Sequence, residues 1–432
     1  MPTWRVRGGW RSRYRRLLIL TFALIAVAYI SIPVTSSPTD DSGSYYTLLA
    51  QGLVHGHLYL PVQPAPELLR LPNPYDPVAN APFRLHDASL YRGRYYLYFG
   101  PPPVLLALGS TLLGIDVDMR IVTSLVAFAG VLLAYALVLR LSPTITRGRY
   151  RFISITTPVA LAVGTLYPIA LRRVAVYEVA LISTGVLAVA SLLAMTYGLR
   201  GRRIAHRTGW SALALAGFLS GLAVWTRPPL IVLPAIIVVI VAFNQRSAAD
   251  SLRAGLAYLL PVLAIGGAAA AYNYARFESP TEFGNHLQLA GVDTRTIHAS
   301  TIADVITKLR FDLLQPPVAS ADFPFLRLSD MVGTIETFYA EPTVGLVVAV
   351  PAVVLGVIAI FTLAGRRRLA LDPRHQILIA LPIIAVGVLI VQGIALPATT
   401  FRYLLEVSPL VIVFVIGSCL HLTRMATFDR LV

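Results

Sequence analysis

Thr39-Asp40-Asp41-Ser42-Gly43-Ser44-Tyr45-Tyr46 follows directly on the first long apolar run of the chain. Two adjacent carboxylates stand there at a membrane surface, and Tyr45, Leu48, Leu49 and Leu53 behind them fall on one helical face. The stretch has a second reading, because Asp or Ser ahead of an apolar helical pattern is an ordinary N-cap. The rest of the chain has to decide between them.

The surroundings are those of a membrane protein. Of 432 residues 56% are hydrophobic and 13% charged, with a mean hydropathy of +0.71, which excludes a soluble domain. Runs at 17–34, 121–141, 209–224 and 344–364 are long enough to cross a hydrocarbon core of about 30 Å. Six arginines between Trp4 and Arg16 precede the first run, and Ala26-Val27-Ala28 offers small residues for a leader cleavage site. The apolar stretch continues through Tyr29-Ile30-Ser31-Ile32-Pro33-Val34, which favours an uncleaved first helix. Cys419 is the single cysteine, so an intrachain disulfide and a cysteine-rich metal site are both excluded. Lys308 is the single lysine, an arginine bias that points to a GC-rich bacterial genome.

Charge fixes the expected topology. The apolar piece 104–113 is short, and a stretch of about 10–14 residues is more often interfacial than spanning. If it does not cross, about ten spans remain, near 17–34, 119–141, 154–171, 176–198, 210–226, 229–243, 255–274, 342–364, 376–396 and 404–422. With the N-terminus inside, the cytoplasmic segments then hold 22 arginines against 3 acids, and the outer side 14 basic residues against 18 acids. That positive-inside asymmetry predicts two cytoplasmic termini. It also makes the net charge of +15 topological, not a footprint of nucleic acid. The expected organisation is a transmembrane module over 1–274 with a first outer loop at 35–118, an extracytoplasmic loop over 275–341, and C-terminal transmembrane helices over 342–432. The fold class is all-α.

Further features stand on the outer side. The first loop is rich in proline, with turn chemistry at Asn73-Pro74-Tyr75-Asp76-Pro77, and holds the aromatic run Tyr91-Arg92-Gly93-Arg94-Tyr95-Tyr96-Leu97-Tyr98-Phe99, read as an interface belt. Trp225-Thr226-Arg227-Pro228-Pro229 joins two short spans. Ile302, Val305, Ile306 and Leu309 recur at helical spacing behind Thr301 as a cap, with Asp304 in the first turn. Glu178 stands at the head of the fourth span, where an acid is functional by default, an ion pair with Arg173 or a contact with the helix N-terminus being the plainer alternative. Phe401-Arg402-Tyr403-Leu404-Leu405-Glu406-Val407-Ser408-Pro409 opens the last span, and Arg402 can pair with Glu406 one turn on. His55, His57 and His86 lack metal-ligand spacing on one face.

The order of an acidic pair, a lone acid, Arg-Pro-Pro, a large loop and Arg-Tyr resembles the GT-C glycosyltransferases, multispanning enzymes that take a sugar from a polyprenyl-phosphate carrier. The resemblance covers the whole chain in topology and about 300 residues in motif order. It implies two large extracytoplasmic loops bearing juxtamembrane helices, and location in the plasma (inner) membrane. It implies inverting transfer of a sugar to a glycan, lipid or protein hydroxyl, with membrane lipid as a further partner and no nucleic acid. By position, Asp41 and Asp40 become the base candidates; a like-charged neighbour and desolvation push such a carboxyl above its ordinary pKa of about 3.9. Glu178 matches the second acidic position by location. Where oligosaccharyltransferase-type relatives carry two acids, Val176 stands here, so a divalent metal, held by Asp41 and Glu178 if at all, is no more than an option. Arg402, Arg227, Arg276 and Tyr403 become the donor-phosphate group, since arginine binds phosphate bidentately and keeps its charge in a poor dielectric. Two other classes compete: a lipid or glycolipid transporter, which should show inverted repeats, and a non-catalytic GT-C-like scaffold. No internal repeat is visible.

Overall fold

Apolar runs that cannot hydrogen-bond their backbone to lipid must satisfy it internally, and helices dominate the chain. The computed structural model describes residues 9–36, 45–115, 117–142, 145, 151–199, 207–245, 247–322, 325–329, 339–364 and 372–428. In chain order the helices are α1 (Gly9–Thr35), α2 (Tyr45–Val54), α3 (Pro66–Arg70), α4 (Leu105–Leu112), α5 (Met119–Leu141), α6 (Arg151–Gly164), α7 (Tyr167–Ala170) and α8 (Val176–Gly198). They continue with α9 (Arg207–Thr226), α10 (Val232–Phe243), α11 (Ala248–Phe277), α12 (Ile302–Leu314), α13 (Leu346–Ala349), α14 (Val353–Ala364), α15 (Pro373–Ala395) and α16 (Ser408–Phe428).

Among the described residues six helices, α1, α5, α8, α9, α11 and α15, are long and apolar enough to cross a membrane. The chain is a multi-pass membrane protein. The other four expected spans are shorter or broken, for reasons written in the backbone. The span expected at 154–171 breaks where Leu166 adopts φ +61° between α6 and α7. The one expected at 342–364 breaks around Pro351, which cannot donate to a helix. Residues 229–243 begin as the 3-10 turn Pro228–Ile231 before α10. The last, expected at 404–422, begins as α16 at Ser408, after the 3-10 turn Phe401–Leu404, and runs unbroken for 21 residues. α4, at eight residues, is about 12 Å long.

Capping obeys the sequence. Asp118, Ser247 and Asp372 each accept a backbone N–H at the heads of α5, α11 and α15, and Thr301 with Asp304 forms the capping box anticipated for α12. α8 lies at the centre, packed on α5 and α9. A Cβ on Gly217 of α9 would stand 2.0 Å from the Tyr258 carbonyl oxygen of α11, so glycine lets these two backbones meet. The Tyr258 hydroxyl donates to Ser220 Oγ at 2.8 Å, and Ser191 Oγ of α8 donates to the Ala216 carbonyl at 2.8 Å.

The two long connecting segments gather at one end of the bundle, called here the loop end. The aromatic run is not a belt. Its residues form a hairpin, β1 (Ser89–Tyr91) with β2 (Arg94–Tyr96), turned by Arg92 and Gly93, both at positive φ as a two-residue hairpin loop needs. Tyr91 and Tyr96 pack edge-on or tilted against Phe277 at the end of α11, at 5.7 and 5.2 Å between centroids, while Tyr95, Leu97 and Phe99 are buried. Arg92 pairs with Glu278 at 2.5 Å, and Ser89 Oγ donates to the Gly284 carbonyl at 2.8 Å. The all-α expectation is extended by this hairpin and two other small ladders: β3 (Val318–Ala319) antiparallel to β4 (Leu326–Arg327), and β5 (Tyr339–Ala340) parallel to β6 (Ala398–Thr399). The last ties the second long segment to the link between α15 and α16.

Candidate active site at the loop end

Gly100 docks the first long segment onto the end of α9. A Cβ there would lie 1.8 Å from the Trp225 carbonyl oxygen, and the Tyr46 hydroxyl of α2 donates to the Gly100 carbonyl at 3.3 Å. Tyr98 and Phe99 are thereby set beside Arg227. Pro228 and Pro229 stop the helix, since neither ring tolerates the preceding residue in it, and Arg227 takes an extended conformation that turns its side chain into the loop end. Its Nε donates to Glu406 Oε2 at 3.2 Å, and Glu406 is fully buried. The Gln392 amide donates to the other Glu406 oxygen. The Arg227 guanidinium carbon lies 5.6 Å from the Phe99 ring centre and 5.7 Å from that of Tyr403. Burial opposes its charge, but Glu406 more than compensates and holds Arg227 above its ordinary pKa.

Arg402 stands on the far side of the same aromatic layer. Thr400 Oγ1 accepts its backbone N–H at 3.2 Å and starts the 3-10 turn Phe401–Leu404. Its Nη2 donates to Glu341 Oε1 at 2.5 Å, and Thr400 Oγ1 donates to Glu341 Oε2 at 2.6 Å. The guanidinium sits 4.2 Å over Tyr177, whose ring meets Phe99 edge-on at 5.7 Å. Arg227, Phe99, Tyr177 and Arg402 therefore form a row, with the Tyr403 ring facing Arg227. Burial lowers Arg402, while the Glu341 and Glu178 carboxylates override it and raise its pKa above the usual value.

Three groups here escaped sequence reasoning. Lys308 and Asp312, one turn apart on α12, make a fully buried ion pair; Thr399 donates to the second Asp312 oxygen, and Lys308 Nζ lies 4.9 Å from the Tyr403 ring centre. Burial pushes Lys308 down and Asp312 up, each partly held back by the other. Their i,i+4 spacing was visible in the sequence, but not their burial. The sequence offers Glu406 only as a partner for Arg402 one turn away. Asp87, for which no sequence signal exists, is buried at φ +61°, accepts from Gln288 Nε2 at 2.8 Å and lies 3.4 Å from His86. Burial raises its carboxyl above the usual range against the pull of His86, Gln288, Arg402 and Arg84.

The anticipated residues divide. Arg227, Arg402, Tyr403 and Glu178 meet at the loop end. Glu178 is buried, and its Oε2 accepts the Ala175 N–H at 2.9 Å, so its contact with the helix N-terminus is realised. The pairing of Arg402 with Glu406 is replaced by two separate pairs, Arg402–Glu341 and Arg227–Glu406. Arg276 faces away from the others: Nη1 donates to the Leu97 carbonyl at 2.6 Å and Nη2 to Asn273 Oδ1 at 2.8 Å, over the rings of Tyr272 and Phe277. It pins the hairpin to α11. Asp40 and Asp41 lie outside the described residues. Among those described, no three His, Cys, Asp or Glu side chains converge as a metal site would require, and Glu178, one of the two expected ligands, spends an oxygen on its own helix.

No family model and no curated protein matches this chain. Two solved structures resemble it. One is the oligosaccharyltransferase of Archaeoglobus fulgidus in its apo form, with a TM-score of 0.52 and 12% identity over 96% of this chain and 51% of that one. The other is the archaeal oligosaccharyltransferase AglB from Archaeoglobus fulgidus in complex with an inhibitory peptide and a dolichol-phosphate, with a TM-score of 0.49 and 14% identity over 98% of this chain and 52% of that one. This chain spans about half the length of each. At 12% identity the first likeness is one of fold.

Proposed function

We propose that the chain is an inverting glycosyltransferase of the GT-C type, moving a sugar from a polyprenyl-phosphate carrier to a hydroxyl of a glycan, lipid or protein on the extracytoplasmic face of the plasma membrane. In this reading ten segments cross, both termini are cytoplasmic, and the loop end faces outward, with the divisions 1–274, 275–341 and 342–432 kept as functional units. The observation that carries it is the juxtaposition of Arg227 and Arg402 on either side of the Phe99–Tyr177 ring pair, within a fold shared with an oligosaccharyltransferase.

The carrier phosphate lies between the two guanidiniums: Arg402 can trade its carboxylate partner for phosphate oxygens, and Arg227 can add them while its Nε stays on Glu406. The acceptor hydroxyl attacks the anomeric carbon from the opposite face. Asp41, with Asp40 as its neighbour, takes the hydroxyl proton as the carbon–oxygen bond forms, while the bond to the phosphate oxygen breaks and the carrier phosphate leaves with its negative charge on the arginines. General-base assistance contributes on the order of 10²–10⁴ in rate, and the arginines stabilise the charge that develops on the leaving group. Glu178 helps hold Arg402 charged and oriented. The test is transfer by the full chain in proteoliposomes supplied with polyprenyl-phosphate sugars and a panel of hydroxyl acceptors. Transfer that Arg402→Ala abolishes and Arg402→Lys partly restores supports the reading; carrier-independent behaviour of both variants defeats it.

A further inference from the structure

Lys308 is the single lysine of the chain, and it is fully buried. Its ammonium pairs with Asp312, one turn on along α12, and lies 4.9 Å from the Tyr403 ring centre. Gly393 of α15 makes room for it: a Cβ there would stand 3.1 Å from Lys308 Cδ. The fold alone does not call for such a pair, because apolar residues of similar volume often replace a buried ion pair with no loss of stability. What apolar residues do not supply is the set of contacts that leads outward from it.

Two series of contacts start at this pair, and each ends on an arginine of the candidate site. In the first, Asp312 accepts from the Thr399 hydroxyl, the Thr399 carbonyl accepts the Glu341 N–H at 3.0 Å, and the Glu341 carboxylate holds Arg402. In the second, Lys308 faces the Tyr403 ring, and the Arg227 guanidinium carbon lies 5.7 Å from the same ring centre. Thr399 and Tyr403 bracket Arg402, whose own N–H goes to Thr400 Oγ1 at the head of the 3-10 turn. One helix of the second long segment thus grips both sides of that turn. Neither Lys308 nor Asp312 has an exposed side chain, so both can act on a ligand only through these neighbours.

We propose that Lys308 and Asp312 are positioning residues that set the spacing of Arg227 and Arg402 for a phosphate, Asp312 through Thr399 and Glu341 and Lys308 through Tyr403. Both Asp312 oxygens are engaged, one by Lys308 and one by Thr399, so the strand that leads into the Arg402 turn is fixed from its buried side. The inference rests on the carrier-phosphate reading of the two arginines, and it makes phosphate recognition depend on α12.

The experiment measures binding of two probes, undecaprenyl phosphate and undecaprenol, to the full chain in detergent; the probes differ only in the phosphate. Lys308→Met together with Asp312→Leu removes both charges at once, since either change alone leaves a buried charge unpaired and endangers the fold. Thr399→Val keeps the ion pair and cuts the first series alone. The double variant should melt at or above the wild-type temperature. Its preference for undecaprenyl phosphate over undecaprenol should fall about 3- to 30-fold, the range over which residues modulate a site through intermediate contacts, with undecaprenol binding unchanged. Thr399→Val should lower the preference in the same direction by a smaller factor. Equal weakening of both lipids marks a packing role and overturns the proposal. A wild-type preference in Thr399→Val also overturns it, even where the double variant does not fold. A wild type that binds the two lipids alike defeats the carrier-phosphate reading itself, and the inference with it.

Discussion

Glu406 reaches past Arg402, its neighbour one turn away, and binds Arg227, 179 residues earlier in the chain, Nε to Oε2 at 3.2 Å. The carboxylate has no exposure of its own and the guanidinium little. Removing one partner from a buried pair leaves an uncompensated charge, which costs about 3–5 kcal/mol. Arg227→Ala should therefore lower the melting temperature in detergent sharply, and adding Glu406→Gln should recover much of the loss. Equal melting of wild type and Arg227→Ala would mean that the pair contributes nothing to the fold.

Arg402 is held differently, by a half-exposed pair with Glu341. A phosphate must displace that carboxylate before it can use the fork of the guanidinium. Arg402→Ala should weaken carrier binding about 10- to 150-fold, the equivalent of one charge-assisted hydrogen bond at about 1.5–3 kcal/mol, and Arg402→Lys should recover part of it. Glu341→Gln should act in the opposite direction and tighten binding of undecaprenyl phosphate. Carrier affinity unchanged in all three would place the phosphate elsewhere.

Asp87 gives a pH signature. Its carboxyl is held above the ordinary range chiefly by burial, with Gln288, His86, Arg84, Arg402 and Tyr98 as the polar and charged groups around it. A folded pKa above the unfolded one means that the stabilising contribution is complete below about pH 4 and lost as pH rises through the folded value. Asp87→Asn keeps an acceptor for Gln288 and removes that loss. In a His86→Gln background, which removes the neighbouring imidazole, the melting temperatures with Asp87 and with Asp87→Asn should converge in acid and separate toward about pH 7, with the variant higher. A separation independent of pH would show that the proton on Asp87 is not involved.

How much of this was legible depends on the range of the interaction. Caps and helix register are local, so Thr301 with Asp304 could be read directly, and so could Arg227 ahead of two prolines. The partner of each cation is not local. Glu341 and Glu406 stand 61 and 179 residues from the arginines they bind, and periodicity carries no information over such distances. The aromatic run misled for another reason: Tyr91 to Phe99 has the composition of an interface belt, but Arg92-Gly93 supplies a tight turn that folds it onto Phe277. On α12 the spacing of Ile302, Val305, Ile306 and Leu309 marks the helix, but Ile302 and Ile306 are exposed while Leu309 packs against the core, because a hydrophobic pattern does not say what lies beside each residue.

Whether 104–113 stays at the loop end is open to a direct chemical test. α4 is too short to cross and packs on α2. On a Cys419→Ser background, Asp116→Cys should react with an impermeant thiol reagent in intact cells, and Arg202→Cys should not. The reverse pattern would invert every later segment and move Glu178 to the cytoplasmic side.

The proposed mechanism gives the acceptor's proton to Asp41, with Asp40 beside it, a few residues ahead of Tyr45 in the sequence. Asp41 is the preferred base because it lies closer to the helix start, with Ser42-Gly43-Ser44 between them. Asp41→Asn keeps the size and most of the capping ability of the residue while removing its basicity, so it separates a cap from a base. Expression, membrane insertion and melting temperature should survive, and turnover should fall about 10²-fold or more. Asp40→Asn should cost less and mainly shift the acid limb of the pH–rate profile, because it removes the like charge that raises its neighbour. An Asp41→Asn protein with full transferase activity would make this residue an ordinary cap and leave the proton of the acceptor to another carboxylate at the loop end.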